Sequence, residues 1–304
     1  MAPWFLLALG SSILMSGISI VDKTMLQNYL RSHTSLQFLI GVFQGLSGTI
    51  FVLATVFFEP LSMSGIFWSL ISGAIFGTGG LLLIYVLNTQ EVTRTVPVVQ
   101  TAPVFAALIG QIFLGERLVA VHWIAVLFTT IGAILISGTP GERIGNQLLK
   151  KSFILLILSS FITAAGQVTG KIPLSFLSIP LTHGFRSLGL SSVFLLASGF
   201  DKTAREDARI LYSQNRLGLY LLIFSEVFLV SISFLLFLAA IEKGSVGLVS
   251  AVLATRSLFV LLGSIAITFR FSNVLGENIQ PRSLVIKFLA IGLIVVGVAA
   301  INIS

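Results

Sequence analysis

Cysteine is absent from the 304 residues, which excludes disulfides, thiolate metal sites and cysteine nucleophiles. Charge is nearly as scarce. Only 10% of residues are Asp, Glu, Lys or Arg, against about 25% in soluble domains. Histidine and aspartate occur three times each (His33, His122, His183; Asp22, Asp201, Asp207), scattered along the chain. No His-Glu-x-x-His, phosphate-loop or Gly-x-Ser-x-Gly pattern is present, so enzymatic readings have no cluster to stand on. Gly77-Thr78-Gly79-Gly80 is glycine-rich but lies inside an apolar run, which argues against a dinucleotide site. The residues present are 56% apolar, and such a surface must face something other than water. The expected class is an integral, multi-pass, all-α membrane protein.

A spanning helix needs about 20 mostly apolar residues. Ten candidates lie near 4–22, 35–58, 64–87, 95–114, 118–137, 152–171, 178–199, 216–240, 246–269 and 284–303. Runs of this length are about twice what a barrel strand needs. Met1 to Pro3 carry no side-chain charge, so the first run reads as retained structure and not as a signal peptide. The stops fall at Glu59-Pro60, Gly115-Glu116-Arg117, Gly138 to Lys151, Asp201 to Arg216 and Gly276 to Pro281. Gly41 and Gly45, Gly73 and Gly77, and Gly166 and Gly170 have the four-residue spacing that lets helices approach closely in lipid.

The two halves match in order. Gly17 to Lys23 lies against Ala165 to Lys171, and Phe43-Gln44-Gly45-Leu46 against Phe185-Arg186-Ser187-Leu188. Leu114-Gly115-Glu116-Arg117 lies against Leu275-Gly276-Glu277-Asn278, after about eight extra residues. Two five-helix repeats are expected, at 1–138 and 152–304, joined by a polar linker at 139–151. With an odd number of helices per repeat, the second enters the membrane from the opposite side. That inverted arrangement suits alternating access around a central site.

A Gly-Glu pair ending the fourth helix, followed by a helix with a late glycine, resembles the EamA-type branch of the drug/metabolite transporter superfamily. The residues carrying the resemblance are Pro103, Gly115-Glu116-Arg117, Trp123, Ile131-Gly132 and Tyr85 in the first half. In the second half they are Gly276-Glu277, Phe288 and Val296-Gly297. Arg256 stands where Pro103 would be matched, and Phe271 to Val274 is an insertion. The resemblance implies solute transport through a cavity lined by the first, third, fourth, sixth, eighth and ninth helices. Its substrates range over amino acids, nucleobases, sugar conjugates and drugs.

An ionisable side chain deep in a span is costly and marks a functional site by default. Glu226 and Arg256 sit midway along the eighth and ninth runs. They read either as a switchable pair for which solute or proton competes, or as a static pair that fixes packing. Gln100 and Gln167 offer hydrogen bonds to a solute or between helices. Lys23 and Lys171 are repeat-equivalent, at opposite mouths of the cavity or snorkelling to headgroups. His183 and Arg186 share a face of the seventh helix, as interface anchors, as donors to an internal carbonyl, or, for Arg186, as a cavity group. Glu116 and Glu277, at span ends, suit a structural or gating role. No cofactor, metal or nucleic-acid partner is expected; a small polar solute (an amino acid or another anionic or zwitterionic metabolite) and membrane lipids are. A lipid-modifying enzyme and a non-transporting scaffold are the alternative functions. With the N-terminus inside, twelve Lys and Arg would fall in external loops and three in internal ones, so the positive-inside rule places both termini outside. Relatives more often keep them inside. The expected location is a bacterial or archaeal cell membrane.

Overall fold

The computed structural model describes residues 2–87, 98–137, 151–270 and 281–303, and among these every regular element is a helix. The helices are α1 (Pro3–Asn28), α2 (His33–Thr55), α3 (Met63–Leu87), α4 (Ala102–Phe113), α5 (Ala120–Ser137), α6 (Lys151–Thr169) and α7 (Ile179–Ser198). They continue as α8 (Lys202–Gln214), α9 (Arg216–Lys243), α10 (Val246–Leu253), α11 (Arg256–Arg270) and α12 (Pro281–Ile303). Six segments are long and apolar enough to cross a membrane: α1, α2, α3, α6, α9 and the stretch Val246–Ser264. The shorter α4, α5 and the stretch Phe288–Ile301 are also apolar. The expected linker at 139–151 lies almost wholly outside the described residues, as do the insertion Phe271 to Val274 and Glu277.

The outside is the apolar side. Phe57 and Phe58 are 82% and 84% exposed, and Ile112, Phe113 and Leu196 are also well exposed, so lipid is the solvent these helices fit. Inside, the contacts are made by small residues and hydroxyls. Ser11 bonds Ser233, Ser12 bonds Thr255, and Ser47 bonds Ser231, at 2.7–3.0 Å. Ser72 donates to Gly166 O, Ser159 to Gly79 O and Ser191 to Gly41 O. Helices in lipid gain little from burying apolar side chains against each other, so close packing and such bonds hold them together. This is an integral, multi-pass membrane protein.

The glycine spacing expected to bring helices together does so. A Cβ at Gly73 would lie 1.9 Å from Arg186 O, and one at Gly166 would lie 2.6 Å from Phe76 N. These two glycines let α3 lie against α7 and α6 backbone to backbone. The most extensive pairings are α2 with α7, α3 with α7 and α6, α5 with α12, and α1 with α9.

Two expected features, one break and one span, differ in the structure. The stretch Asp201 to Arg216 reads as a polar break, yet most of it is the helix α8. Asp201 caps it, accepting from Ala204 N at 2.9 Å, and Ala204, Asp207 and Leu211 form its one buried face. Asp207 takes the Arg31 backbone N–H at 3.0 Å and the Arg31 guanidinium at 2.5 Å. Burial alone would raise the Asp207 carboxyl. Hydrogen bonds from Ser35 and Arg31, and the Arg31 charge, outweigh that and hold it below the ordinary carboxylate range. The ninth run is also not one helix. It stops at Leu253 and restarts at Arg256.

Candidate functional site

Three interruptions of helical regularity meet inside the bundle. Ahead of α4, residues 98–99 are helical, Gln100 and Thr101 form a turn, and the helix restarts at Ala102. Thr101 N bonds Val98 O, and Val104 N bonds Thr101 O, both at 3.1 Å and both three residues apart instead of four. Pro103 lacks an N–H, so it sits well in the first turn after a restart. Between α10 and α11 the pattern repeats: Thr255 N bonds Val252 O at 3.0 Å and Leu258 N bonds Thr255 O at 2.9 Å. The two breaks touch, because Gln100 Nε2 donates to Ser257 Oγ. The third interruption is a π-helical turn over Phe224–Leu229 in α9, and Glu226 lies on it. Such a turn inserts a residue and frequently marks a functional site.

The charged groups collect at these interruptions. Glu226 is 2% exposed, and Gln44 Nε2 from α2 donates to its backbone oxygen at 2.9 Å. Arg256, the first residue of α11, lies within electrostatic reach of both Glu226 and Asp22 of α1. Its Nε donates to Ser19 Oγ at 2.7 Å. Glu226 Oε1 and Asp22 Oδ1 are buried without a hydrogen-bond partner. The expected Glu226–Arg256 pair is therefore a group of three, and among the described residues no direct ion pair joins its members. Arg256 is accessible although it stands beside two shielded carboxylates. Among the described residues no group of three or more His, Cys, Asp or Glu side chains converges as a metal site.

One end of the bundle is closed by a latch. Gly115 has φ +66°, a left-handed conformation that glycine adopts freely. It turns the chain after α4, and Glu116 N returns to bond Gly110 O at 3.3 Å. The Glu116 carboxylate, 8% exposed, then accepts from Val246 N at 2.9 and 3.0 Å, at the start of α10. Lys171, just past α6, donates to Glu116 Oε1 at 2.9 Å and to Gly244 O at 2.7 Å. The Gly-Glu motif has a physical reason here: glycine supplies the turn and glutamate ties three segments together. Lys171 is thus tied to protein groups.

The remaining expected residues divide. Gln167 Oε1 accepts from Ser250 Oγ at 2.6 Å, so it and Gln100 both make inter-helix hydrogen bonds. Lys23 is half-buried on α1, next to Asp22. Tyr85 is 57% exposed near the end of α3 and does not join the group around Glu226. Arg186 is 4% exposed, stacked over the rings of Phe76, Phe234 and Phe237 at 5.1–5.5 Å, with Nη2 donating to Gly166 O at 3.2 Å. It reaches inward from a helix that the family pattern puts at the periphery. Asp22 is the site residue that the sequence did not single out. Its position near the end of a run made it look like a stop, although Ser19 and Asp22 are one turn apart and share a face.

A sequence model of the EamA-like transporter family matches residues 2–138. An uncharacterized transporter in the cobO 3′ region of a Sinorhizobium species is 30% identical over 81 residues, or 26% of this chain. The match spans 57% of that relative's length. A solved structure titled "Crystal structure of protein" superposes with a TM-score of 0.69, covering 98% of this chain and 95% of its own at 17% identity, a likeness of fold. Over residues 2–138, then, this chain is similar to the EamA-like transporter family, and the resemblance carried by its own motifs holds.

Proposed function

We propose that the chain is a secondary transporter that moves a small polar solute across the membrane by alternating access. Ten spans in two inverted five-helix repeats, 1–138 and 152–304 joined by 139–151, form its frame. The observation that carries this reading is the meeting of two broken helices and a π-turn around Asp22, Glu226 and Arg256. Broken helices in corresponding positions of inverted repeats are where transporters bind solute, because their freed backbone groups and charges can serve a ligand. The breaks at Gln100-Thr101 and Ala254-Thr255 fall within one residue of each other when Pro103 is laid against Arg256. Part of the packing fits the same symmetry: α3 on α6 exchanges with α9 on α1, and α2 with α7 and α5 with α12 map onto themselves, whereas α3 on α7 has only a slight counterpart in α9 on α2.

Two carboxylates facing one guanidinium favour a zwitterion over a simple anion. A solute carboxylate pairs with Arg256, and its ammonium, or a proton, satisfies Asp22 and Glu226. An amino acid has this chemistry, and Glu226 is the proton carrier if transport is proton-coupled. The Glu116–Lys171–Val246 latch closes one mouth. Trp4, at the start of α1, packs beside Gly244 at that mouth, and Asp22 lies about 27 Å further along α1 at 1.5 Å per residue. Access to Arg256 is therefore from the end that holds Arg31 and α8. The basic loops lie at that end, which makes it cytoplasmic and puts both termini outside a bacterial or archaeal cell membrane.

A thermal-shift screen of the purified protein against amino acids and small carboxylates tests this reading, since a ligand of the native state raises its stability. A zwitterion is expected to raise the melting temperature of the parent, and Glu226→Gln and Arg256→Gln to lose that rise while still melting cooperatively. Retention of the full rise in both variants would remove the site from this place.

A further inference from the structure

A polar pocket that Glu226 does not line lies between α2, α3, α7 and α9. It is a small cavity about the size of a water molecule, lined by Gln44, Gly73, Phe76, His183, Arg186, Ser187, Leu190 and Phe234. Arg186 brings a cation into it. One guanidinium nitrogen, Nη2, donates to Gly166 O, and Nη1 is buried without a partner. The three phenyl rings stacked on the guanidinium stabilise a cation weakly, and among the described residues no carboxylate pairs with it. A second donor stands beside it. His183 is 1% exposed, packed edge-on to Phe51 at 4.8 Å and stacked on Phe234 at 6.1 Å. Its Nδ1 faces Ser187 Oγ at 3.5 Å, and its Nε2 is buried without a partner. The tautomer that lets Nδ1 accept from Ser187 places the proton on Nε2 and makes it a donor.

The geometry points to a binding site for one compact monovalent anion, held by Arg186 Nη1–H and His183 Nε2–H. A buried guanidinium requires an opposite charge, and no group lining the cavity supplies one. Two N–H donors and a full positive charge in a cavity of this size suit a halide first, and the carboxylate of a small acid only if the pocket widens. Gln44 offers its Oε1, an acceptor without a partner, and so does not touch the anion. Its Nε2 is committed to Glu226 O, which sets this pocket directly behind the π-turn. Water would satisfy the orphaned hydrogen-bonding atoms but would leave the charge unanswered.

The test uses the full chain purified in detergent with potassium gluconate as the only salt. Bromide, chloride, formate or acetate is titrated in at constant ionic strength, and melting is followed by the fluorescence of its three tryptophans. The expected result is a saturable rise of a few degrees with at least one of these anions, absent in Arg186→Met and regained in Arg186→Lys. Response to bromide and chloride identifies a free halide as the occupant, and response to formate and acetate alone identifies a carboxylate. Bromide-soaked crystals of the parent supply a measurement that needs no variant, an anomalous peak within contact of Arg186 and His183. No rise with any of the four anions, together with no such peak, would assign the cavity to water and overturn the proposal.

Discussion

Opening the Glu116–Lys171–Val246 latch is a perturbation whose size follows from its geometry. Glu116→Gln keeps the side chain's shape and its hydrogen bond from Val246 N, but removes the charge that Lys171 and that N–H both contact. A hydrogen bond to a charged group contributes about 1.5–3 kcal/mol, and this site has two. Lys171 is 27% exposed, so water already screens part of its share. A net loss of about 2–4 kcal/mol remains. If the latch exists only when this mouth is closed, the closed-to-open ratio falls roughly 30-fold to 700-fold, at about 1.4 kcal/mol per tenfold. The chain has no cysteine, so a single Ser250→Cys substitution creates a specific probe. Ser250 is 2% exposed, one turn beyond Val246 on α10, behind the latch. In sealed vesicles of known orientation, a membrane-impermeant thiol reagent added on the latch side should label this cysteine at least tenfold faster in Glu116→Gln than in the parent. Lys171→Met should behave alike. A labelling rate within twofold of the parent, alongside a lowered melting temperature, would make the latch a static brace and refute the reasoning.

Other consequences are equally direct. Under the proton-coupled reading, uptake in the parent responds to an imposed pH gradient; Glu226→Gln should lose that response while keeping solute exchange, and an unchanged response would exonerate Glu226. Asp207→Asn should destabilise the docking of α8 by about 1–3 kcal/mol at neutral pH, as chemical unfolding would read. Because the Asp207 carboxyl is held below its ordinary value of 3.8, its contribution is fully present above that value. The contribution is lost as pH falls through the lowered one, so parent and variant should converge in acid. Gly73→Ala and Gly189→Ala would place a Cβ 1.9 Å from Arg186 O and 2.1 Å from Leu70 O, and should abolish the folded protein. Gly292→Ala meets nothing within 4 Å, and expression and melting should match the parent.

Much of the fold was legible because lipid constrains sequence so strongly. Run length marked the apolar segments, six of which are long enough to span, and the four-residue glycine spacing marked helices that pack closely without saying against what. Glu226 and Arg256 stood out because charge inside an apolar run is rare. What the sequence concealed was irregularity. The helix breaks at Thr101 and Thr255 carry no glycine or proline at the break itself, and Pro103 sits two residues beyond the first. The π-turn around Glu226 is built from residues that would equally suit an α-helix, so neither feature has a local signature. Asp22 was hidden for another reason: a carboxylate near the end of a run resembles a loop residue until the partner helix is in place. The helix α8 was missed because five charged or amide side chains, Lys202, Arg205, Glu206, Arg209 and Gln214, mask a short buried stripe of Ala204, Asp207 and Leu211.

In the proposed transport cycle, solute crosses the membrane past Glu226 and Arg256. Counterflow in proteoliposomes tests it most directly. Vesicles are preloaded with an unlabelled amino acid that stabilises the purified protein, diluted into its labelled form, and sampled over minutes. The account predicts transient accumulation above the level of protein-free vesicles in the parent and a loss of at least tenfold in Arg256→Gln. Accumulation at the parent rate in Arg256→Gln, or none in the parent with every stabilising amino acid, would contradict it.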